Sequence, residues 1–295
     1  MGTNKSKIHS LINRAARAYA AGPTIHNARA VCERLADEGF ASTMCYWNMA
    51  SDEPERVTNF YMDILSTVSD LNTDCYLSVK APAIRYDMGL LRNILDRARS
   101  IGAVVHFDAM GPDTADDTFN LIAKARSIYP KLGCTLPGRW RRSLTDADRA
   151  VEIGLRVRVV KGEWPETSAD DVNPREGYLN IIDRLGAERA QHVAVATHNP
   201  ELANVALSRL KTTGTSCELE LLYGLPLESL IKIADRLGVP ARMYVPYGHT
   251  RLPYRLREAR RNPRIVGWFL RDLFRGTTQA KATDQVNGNN VRAGI

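Results

Sequence analysis

Long apolar runs are missing from this 295-residue chain: none approaches the roughly 18 to 20 residues that cross a bilayer, and the first residues carry no apolar signal-peptide core. Cysteine is scarce and scattered. Cys32, Cys45, Cys75, Cys134 and Cys217 are odd in number and contain no C-x-x-C pair, which argues against a disulfide framework and against a zinc site. No glycine-rich fingerprint follows the first strand-like segment, as an open dinucleotide-binding sheet would require. Low-complexity tracts and domain linkers are also lacking. These absences predict a soluble cytoplasmic chain in a reducing compartment.

What is present is a balanced globular composition, with 44% of residues hydrophobic and 25% charged, enough to bury a sizeable core. Forty Lys and Arg against thirty-three Asp and Glu give a formal charge of +7, which favours anionic ligands. The excess is local. Six arginines and one acid fall between Arg251 and Arg264, and Arg139-Trp140-Arg141-Arg142 forms a second knot. No nucleic-acid module accompanies them, so a nucleic-acid partner is not expected. Met1-Gly2-Thr3-Asn4-Lys5-Ser6 fits the loose N-myristoylation pattern, and acylation of Gly2 would bring peripheral membrane contact, although a single acyl chain anchors only marginally.

From Ala41 onward, short β-rich runs alternate with segments of helical period, the pattern of repeated β-α units around a parallel sheet. Strands are expected at Ala41 to Trp47, Cys75 to Lys80, Ala103 to Phe107, Gly133 to Leu136, Arg156 to Val160, His192 to Ala196, Cys217 to Leu222 and Ala241 to Val245. Helices are expected at Pro54 to Leu71, Met88 to Ser100, Asp116 to Tyr129, Asp146 to Ile153, Tyr178 to Glu188, Pro200 to Lys211 and Leu227 to Leu237. Ser51-Asp52-Glu53-Pro54, Thr145-Asp146 and Asn199-Pro200-Glu201 read as helix starts, and Gly102, Gly214 and Gly238 as left-handed caps at helix ends. Eight units in about 235 residues predict an α/β fold of the (β/α)8 TIM-barrel type. The barrel is placed at residues 41 to 276, after a helical preface at 1 to 40 and before a disordered tail at 277 to 295.

Chemistry in such a barrel sits where strands end, so the residues after each apolar run carry the information. Those residues are Lys80, Asp108, Arg139 to Arg142, Lys161-Gly162-Glu163-Trp164, Thr197-His198-Asn199, Tyr223-Gly224 and Pro246-Tyr247-Gly248-His249. Lys80 and Asp108, from adjacent strands, are placed to pair across the mouth; a desolvated lysine would instead serve Schiff-base chemistry. His198 has no second ligand at metal spacing, so no metal is expected. It reads either as a hydrogen-bond donor to a cofactor or as a histidine satisfied by backbone at a helix start. Tyr254, Arg257 and Arg261 share one helical face, where they can meet a carboxylate or a pyrophosphate.

Together these segments resemble the proline dehydrogenase family, FAD-dependent enzymes on a (β/α)8 barrel, from Arg14 to about Arg275. Arg156-Val157-Arg158-Val159-Val160-Lys161-Gly162-Glu163-Trp164 is similar to the family's R-L-V-K-G-A-Y-W, and Ala196-Thr197-His198-Asn199 is identical to its A-T-H-N. Glu218-Leu219-Glu220-Leu221-Leu222-Tyr223-Gly224 resembles E-F-Q-x-L-x-G, and Arg242-Met243-Tyr244-Val245-Pro246-Tyr247-Gly248 resembles R-x-Y-x-P-x-G. The resemblance implies that Arg158, Lys161, Gly162, Trp164, Thr197, His198 and Asn199 hold FAD. It also implies that Lys80, Asp108, Leu222, Tyr244 and Tyr254 line a substrate pocket, with Arg257 gripping an anionic group.

The departures concern that pocket. Where the family reads Y-x-x-R-R-x-x-E, this chain has Tyr254-Arg255-Leu256-Arg257-Glu258-Ala259-Arg260-Arg261, so Glu258 replaces the second arginine and Arg261 the terminal acid. Glu220 stands where the family has Gln, Pro137 near its strand-four Gln, and Trp164 at its Tyr. The expected activity is oxidation of proline or a related cyclic imino acid or amine to a pyrroline-type imine, with a quinone or other acceptor taking the electrons. Two other readings fit the same residues: a non-catalytic flavin-binding barrel, and a Schiff-base aldolase using Lys80 or Lys161.

Overall fold

The computed structural model describes residues 20–71, 73–163 and 172–249, all within one compact unit spanning Arg17–Thr250. Eight parallel strands close into a barrel in sequence order. They are β1 (Ala41–Trp47), β2 (Cys75–Val79), β3 (Val105–Phe107), β4 (Leu132–Pro137), β5 (Arg156–Val160), β6 (His192–Ala196), β7 (Cys217–Leu222) and β8 (Ala241–Gly248). The seam is the β1–β8 ladder, seven residue pairs running from Ala41 opposite Arg242 to Trp47 opposite Gly248. A helix before the barrel, α1 (Ile25–Asp37), packs on β1 and β8. The crossovers carry α2 (Pro54–Asp70), α3 (Met88–Ile101), α4 (Ala115–Arg126), α5 (Ser143–Ile153), α6 (Pro174–Ala187), α7 (Pro200–Thr213) and α8 (Glu228–Leu237).

Each crossover helix turns an apolar stripe onto the outside of the barrel. In α3 the buried set is Leu91, Ile94, Leu95 and Ala98, a 3,4-spaced face that meets the outward side chains of the strands. Met44, Leu77, Val105, Phe107, Leu136, Val157, Val159, Val193, Val195, Leu219, Leu221, Met243 and Val245 are those outward residues, and all are buried. Burial at about 25 cal/mol per Å² makes each such Leu or Ile worth roughly 2 kcal/mol, so this annular layer between strands and helices is the main hydrophobic core.

Most expected boundaries hold, and the exceptions have local causes. Strand β3 begins at Val105 because Ala103 still belongs to the end of α3, its N–H donating to the Ala98 carbonyl at 3.0 Å. Strand β8 continues to Gly248 because β1 extends equally far beside it. Helix α5 starts at Ser143, earlier than Asp146; the Asp146 carboxylate pairs back with Arg142 at 2.8 Å. Helix α6 starts at Pro174, where Asn173 accepts from the amides of Arg175 and Glu176. Asp52 does not cap α2: its carboxylate accepts from the Met49 amide and the Tyr46 hydroxyl instead. Asn199 does cap α7, and Gly102, Gly214 and Gly238 take up left-handed C-cap positions. The expected start of the preface, the barrel's end at 276 and the tail lie outside the described residues.

Candidate active site

The lumen of this barrel is charged. Residues alternating with the outward apolar set, Arg156 and Arg158 on β5, Glu218 and Glu220 on β7, Arg242 and Tyr244 on β8, must face inward. Bonds between non-adjacent strands confirm this, because Tyr244 on β8 reaches Asp108 just after β3 only through the interior. The inward residues form two tiers.

The tier nearer the strand starts centres on Glu218. Arg242 Nε donates to its carboxylate at 3.0 Å, Arg156 Nη2 lies at 3.3 Å, and His192 Nε2 lies 3.3 Å from the same oxygen. Burial alone would raise the Glu218 pKa, but the hydrogen bond to His192 and the charge of Arg242 outweigh it and hold the acid at about 2. Arg242 also donates to the Ser42 carbonyl at 2.7 Å and lies over the Tyr76 ring, 4.3 Å from its centroid. Through Arg156, His192, Glu218 and the Arg242 bond to Ser42, this tier links β1, β5, β6, β7 and β8.

The tier nearer the strand ends is built on Arg158. Its Nε and Nη2 donate to the two oxygens of Glu220 at 2.7 and 2.8 Å, and Nη1 donates to Asp108 at 2.7 Å. Burial opposes the charge of Arg158, yet the surrounding anions, Glu220 foremost, more than offset it and hold its pKa above the ordinary guanidinium value. Three of its five N–H groups are spent in these bonds, leaving two among the described residues. Asp108 also accepts from Ser78 Oγ at 2.7 Å, from the Tyr244 hydroxyl at 2.7 Å and from Cys45 Sγ at 3.6 Å. Burial and the Asp108 charge push the Tyr244 phenol well up, so it stays a donor. Burial pushes the Cys45 thiol up to about 12, keeping its proton too. The Tyr244 ring lies under the Arg158 guanidinium, 5.1 Å from its centroid.

Lys80 corrects one expectation. Its ammonium does not pair with Asp108: Nζ donates to the Tyr46 carbonyl at 3.1 Å and lies 3.4 Å from Asn48 Oδ1, both beyond or at the end of β1. Its backbone N–H is held by the buried Tyr61 hydroxyl at 3.0 Å. Asp108 is taken instead by Arg158, which reaches it from β5.

On the other side of the mouth, Lys161 is exposed and Gly162 adopts φ +93°. A Cβ at 162 would lie 2.8 Å from Pro137 Cβ and 3.0 Å from Arg139 Cγ, so the backbone here requires glycine. Asn199 spends its side-chain oxygen on the Leu202 amide, and Thr197 Oγ1 accepts from the Asn199 amide. His198 is held by backbone, as one of its two readings expects. Its Nε2 accepts from the Leu222 amide at 2.9 Å, which puts the proton on Nδ1, and Nδ1 is buried without a well-aligned partner. Burial draws its pKa down to about 4, opposed only in part by the Pro226 backbone.

The upstream arginine knot is partly structural: Arg142 pairs with Asp116 and Asp146, and Trp140 is buried. It supplies less of the mouth's charge than the sequence suggests. Trp164, Tyr254, Arg257, Glu258 and Arg261 lie outside the described residues. Ser78, Cys45 and Thr43, whose hydroxyl donates to Glu220 at 3.0 Å, escaped the sequence reading. The two-residue alternation of β7 and β8 was the available signal for a polar lumen.

These groups suit an anionic, hydrogen-bonding cofactor: an exposed ammonium, a loop pressed close by a glycine, unspent guanidinium N–H groups and a buried Nδ1–H. The sequence matches the proline dehydrogenase family over residues 28–266. It is 23% identical over 275 residues to proline dehydrogenase 1 of Bacillus subtilis subsp. natto, covering 88% of this chain and 91% of that protein. It is 22% identical over 282 residues to the proline dehydrogenase of Deinococcus radiodurans, covering 88% and 90%. Among solved structures, proline utilization A (PutA) from Bdellovibrio bacteriovorus, inactivated by N-propargylglycine, superposes with a TM-score of 0.71 at 17% identity. That match covers 85% of this chain and 32% of the PutA chain, so the chain spans about a third of that larger protein. With four-fifths of its length inside the family match, and with the barrel and polar mouth described above, the chain belongs to the proline dehydrogenase family of flavin-dependent oxidoreductases.

Proposed function

We propose that the mouth of this barrel binds FAD and oxidises proline, or a closely related cyclic imino acid, at the carbon next to the ring nitrogen. The observation that carries this reading is the Arg158 cluster: a buried guanidinium held by Asp108 and Glu220 at the strand ends of a proline dehydrogenase barrel, with donors to spare. When bound, the flavin supplies a two-electron acceptor. The chain holds it through Arg158, Lys161, the close backbone at Gly162, Trp164, Thr197, His198 Nδ1–H and Asn199.

The substrate's side of the work falls to a different set. Asp108, fixed by four donors, presents negative charge to the ring nitrogen, whose positive charge grows as the C–N bond becomes an imine. Tyr244, its hydroxyl locked onto Asp108, offers a ring face to the substrate ring. Lys80 and Leu222 close the pocket wall, and Tyr254 and Arg257 contribute aromatic cover and a grip on the carboxylate. In the overall change the substrate loses a hydride, that is one proton with two electrons, from carbon and a proton from nitrogen; a quinone or another acceptor takes the two electrons and completes the cycle.

A second reading keeps the chemistry and changes the substrate. Glu258 and Arg261 depart from the family's carboxylate grip, and an acid beside a substrate carboxylate costs affinity, which favours a cyclic amine or a modified proline. Anaerobic mixing of FAD-loaded protein with proline, hydroxyprolines, pipecolate and simple cyclic amines tests both readings. Bleaching of the flavin by the imino acids supports the first, and bleaching only by amines supports the second. A protein that takes up no FAD, or whose flavin no member of the panel bleaches, refutes both.

A further inference from the structure

We infer that Glu220 is a positioning residue whose negative charge lowers the reduction potential of the flavin bound at the Arg158 cluster. The inference rests on the proposed flavin site and concerns a residue at which this chain departs from the E-F-Q pattern it otherwise resembles.

The geometry at 220 is one that only a carboxylate can make. Both oxygens of Glu220 accept from Arg158, at 2.7 and 2.8 Å, and one of them also accepts from Thr43 Oγ1 at 3.0 Å. A glutamine has one acceptor oxygen, and its amide nitrogen would turn N–H groups toward guanidinium N–H groups, so it cannot chelate in this way. The exchange of Gln for Glu therefore preserves shape and adds one negative charge, in a side chain only 1% exposed.

That charge lowers the net charge of the cluster by one unit. One guanidinium against the carboxylates of Asp108 and Glu220 sums to −1, and adding the nearby ammonium of Lys80 brings these four side chains to zero. With an amide at 220 the same four side chains would sum to +1. A reduced flavin is richer in electrons than an oxidised one, so a nearby positive centre stabilises the reduced form and compensation of that centre removes the benefit. The poorly solvated lumen keeps water from screening the difference. Glu220 thus holds Arg158 in place while cancelling the charge that would pull electrons onto the cofactor, and it favours passing them onward to the acceptor.

The test compares FAD-loaded wild-type protein with Glu220→Gln and Thr43→Val. Sulfite adds to an oxidised flavin to give an anionic complex, so its dissociation constant reports the same local charge as the potential. Glu220→Gln is expected to bind sulfite about tenfold more tightly and to raise the two-electron potential by the equivalent of about 30 mV, measured by dye equilibration. Thr43→Val, which removes a hydrogen bond to Glu220 and leaves its charge, should leave both quantities within twofold of wild type. The inference fails if Glu220→Gln stays within twofold, if Thr43→Val moves as far, or if the isosteric amide cannot retain flavin at all. A wild-type protein that binds no flavin instead refutes the proposed function on which the inference rests.

Discussion

Asp108 takes hydrogen bonds from side chains on four strands, Cys45 on β1, Ser78 on β2, Arg158 on β5 and Tyr244 on β8, so its carboxylate cannot rotate without breaking most of the tier. A charge-assisted hydrogen bond of this kind is worth about 1.5–3 kcal/mol, and each 1.4 kcal/mol is tenfold in rate. Asp108→Asn removes the charge and turns an amide donor toward other donors. Its rate of anaerobic flavin reduction is expected to fall about 100-fold, against about tenfold for Tyr244→Phe, which removes one donor of the four. Equal losses in the two variants would mean that Asp108 serves only to anchor the tyrosine. The sequence marks Asp108, Lys80 and His198 because each follows a strand. It misassigns the partner of Asp108 because partners across a lumen depend on the barrel's stagger, which no local pattern encodes. Glu220 is visible only as a departure from a motif, since its meaning lies in the guanidinium two strands away.

The elements around the mouth carry their own constraints. Strands β1, β5, β6 and β7 run as their apolar and β-branched pattern indicates, because alternation fixes both their length and their inward face. Helix starts are less legible: Ser143 and Pro174 open their helices through contacts made after folding, Ser143 Oγ donating to the Pro137 carbonyl at 2.7 Å. The turn after β5 is the most exacting element. Gly162→Ala would force a left-handed alanine against Pro137 and Arg139, at a cost of about 1–3 kcal/mol. A lower urea midpoint together with weaker FAD binding is expected; an unchanged FAD titration would show that this turn does not touch the cofactor. At the next strand, Asn199→Ala removes the α7 cap that follows His198, with an expected loss of about 1 kcal/mol in the same unfolding assay.

Across the whole molecule, the buried titratable groups predict a stepped sensitivity to acid. His198 has a folded pKa of about 4 against an ordinary 6.5, so between those values the unfolded chain binds a proton that the folded barrel refuses. Stability therefore falls as pH drops below 6.5, and the full effect, about 3 kcal/mol for a shift of this size, is reached near pH 4. Glu218 acts lower down. Its folded pKa of about 2 lies below the usual 4.5, so the stability it contributes is intact above pH 4.5 and is lost as pH falls toward 2. His198→Gln separates the two steps, because the glutamine oxygen can take the place of Nε2 as acceptor for the Leu222 amide and never titrates. Urea unfolding of the flavin-loaded protein should give wild type and variant within about 1 kcal/mol of each other at pH 8. At pH 4.5 the variant should be the more stable by about 2–3 kcal/mol, and below pH 4 the two curves should fall in parallel as Glu218 gives way and the buried His106, held well below its ordinary value by desolvation, goes on refusing the proton that the unfolded chain binds. Curves that already run parallel between pH 6.5 and 4 would mean that the imidazole gains a proton in the folded barrel as readily as in the unfolded chain. In that case Nε2 would not be held as the acceptor of the Leu222 amide, and the placement of the neutral ring's proton on Nδ1 at the proposed cofactor site would fail.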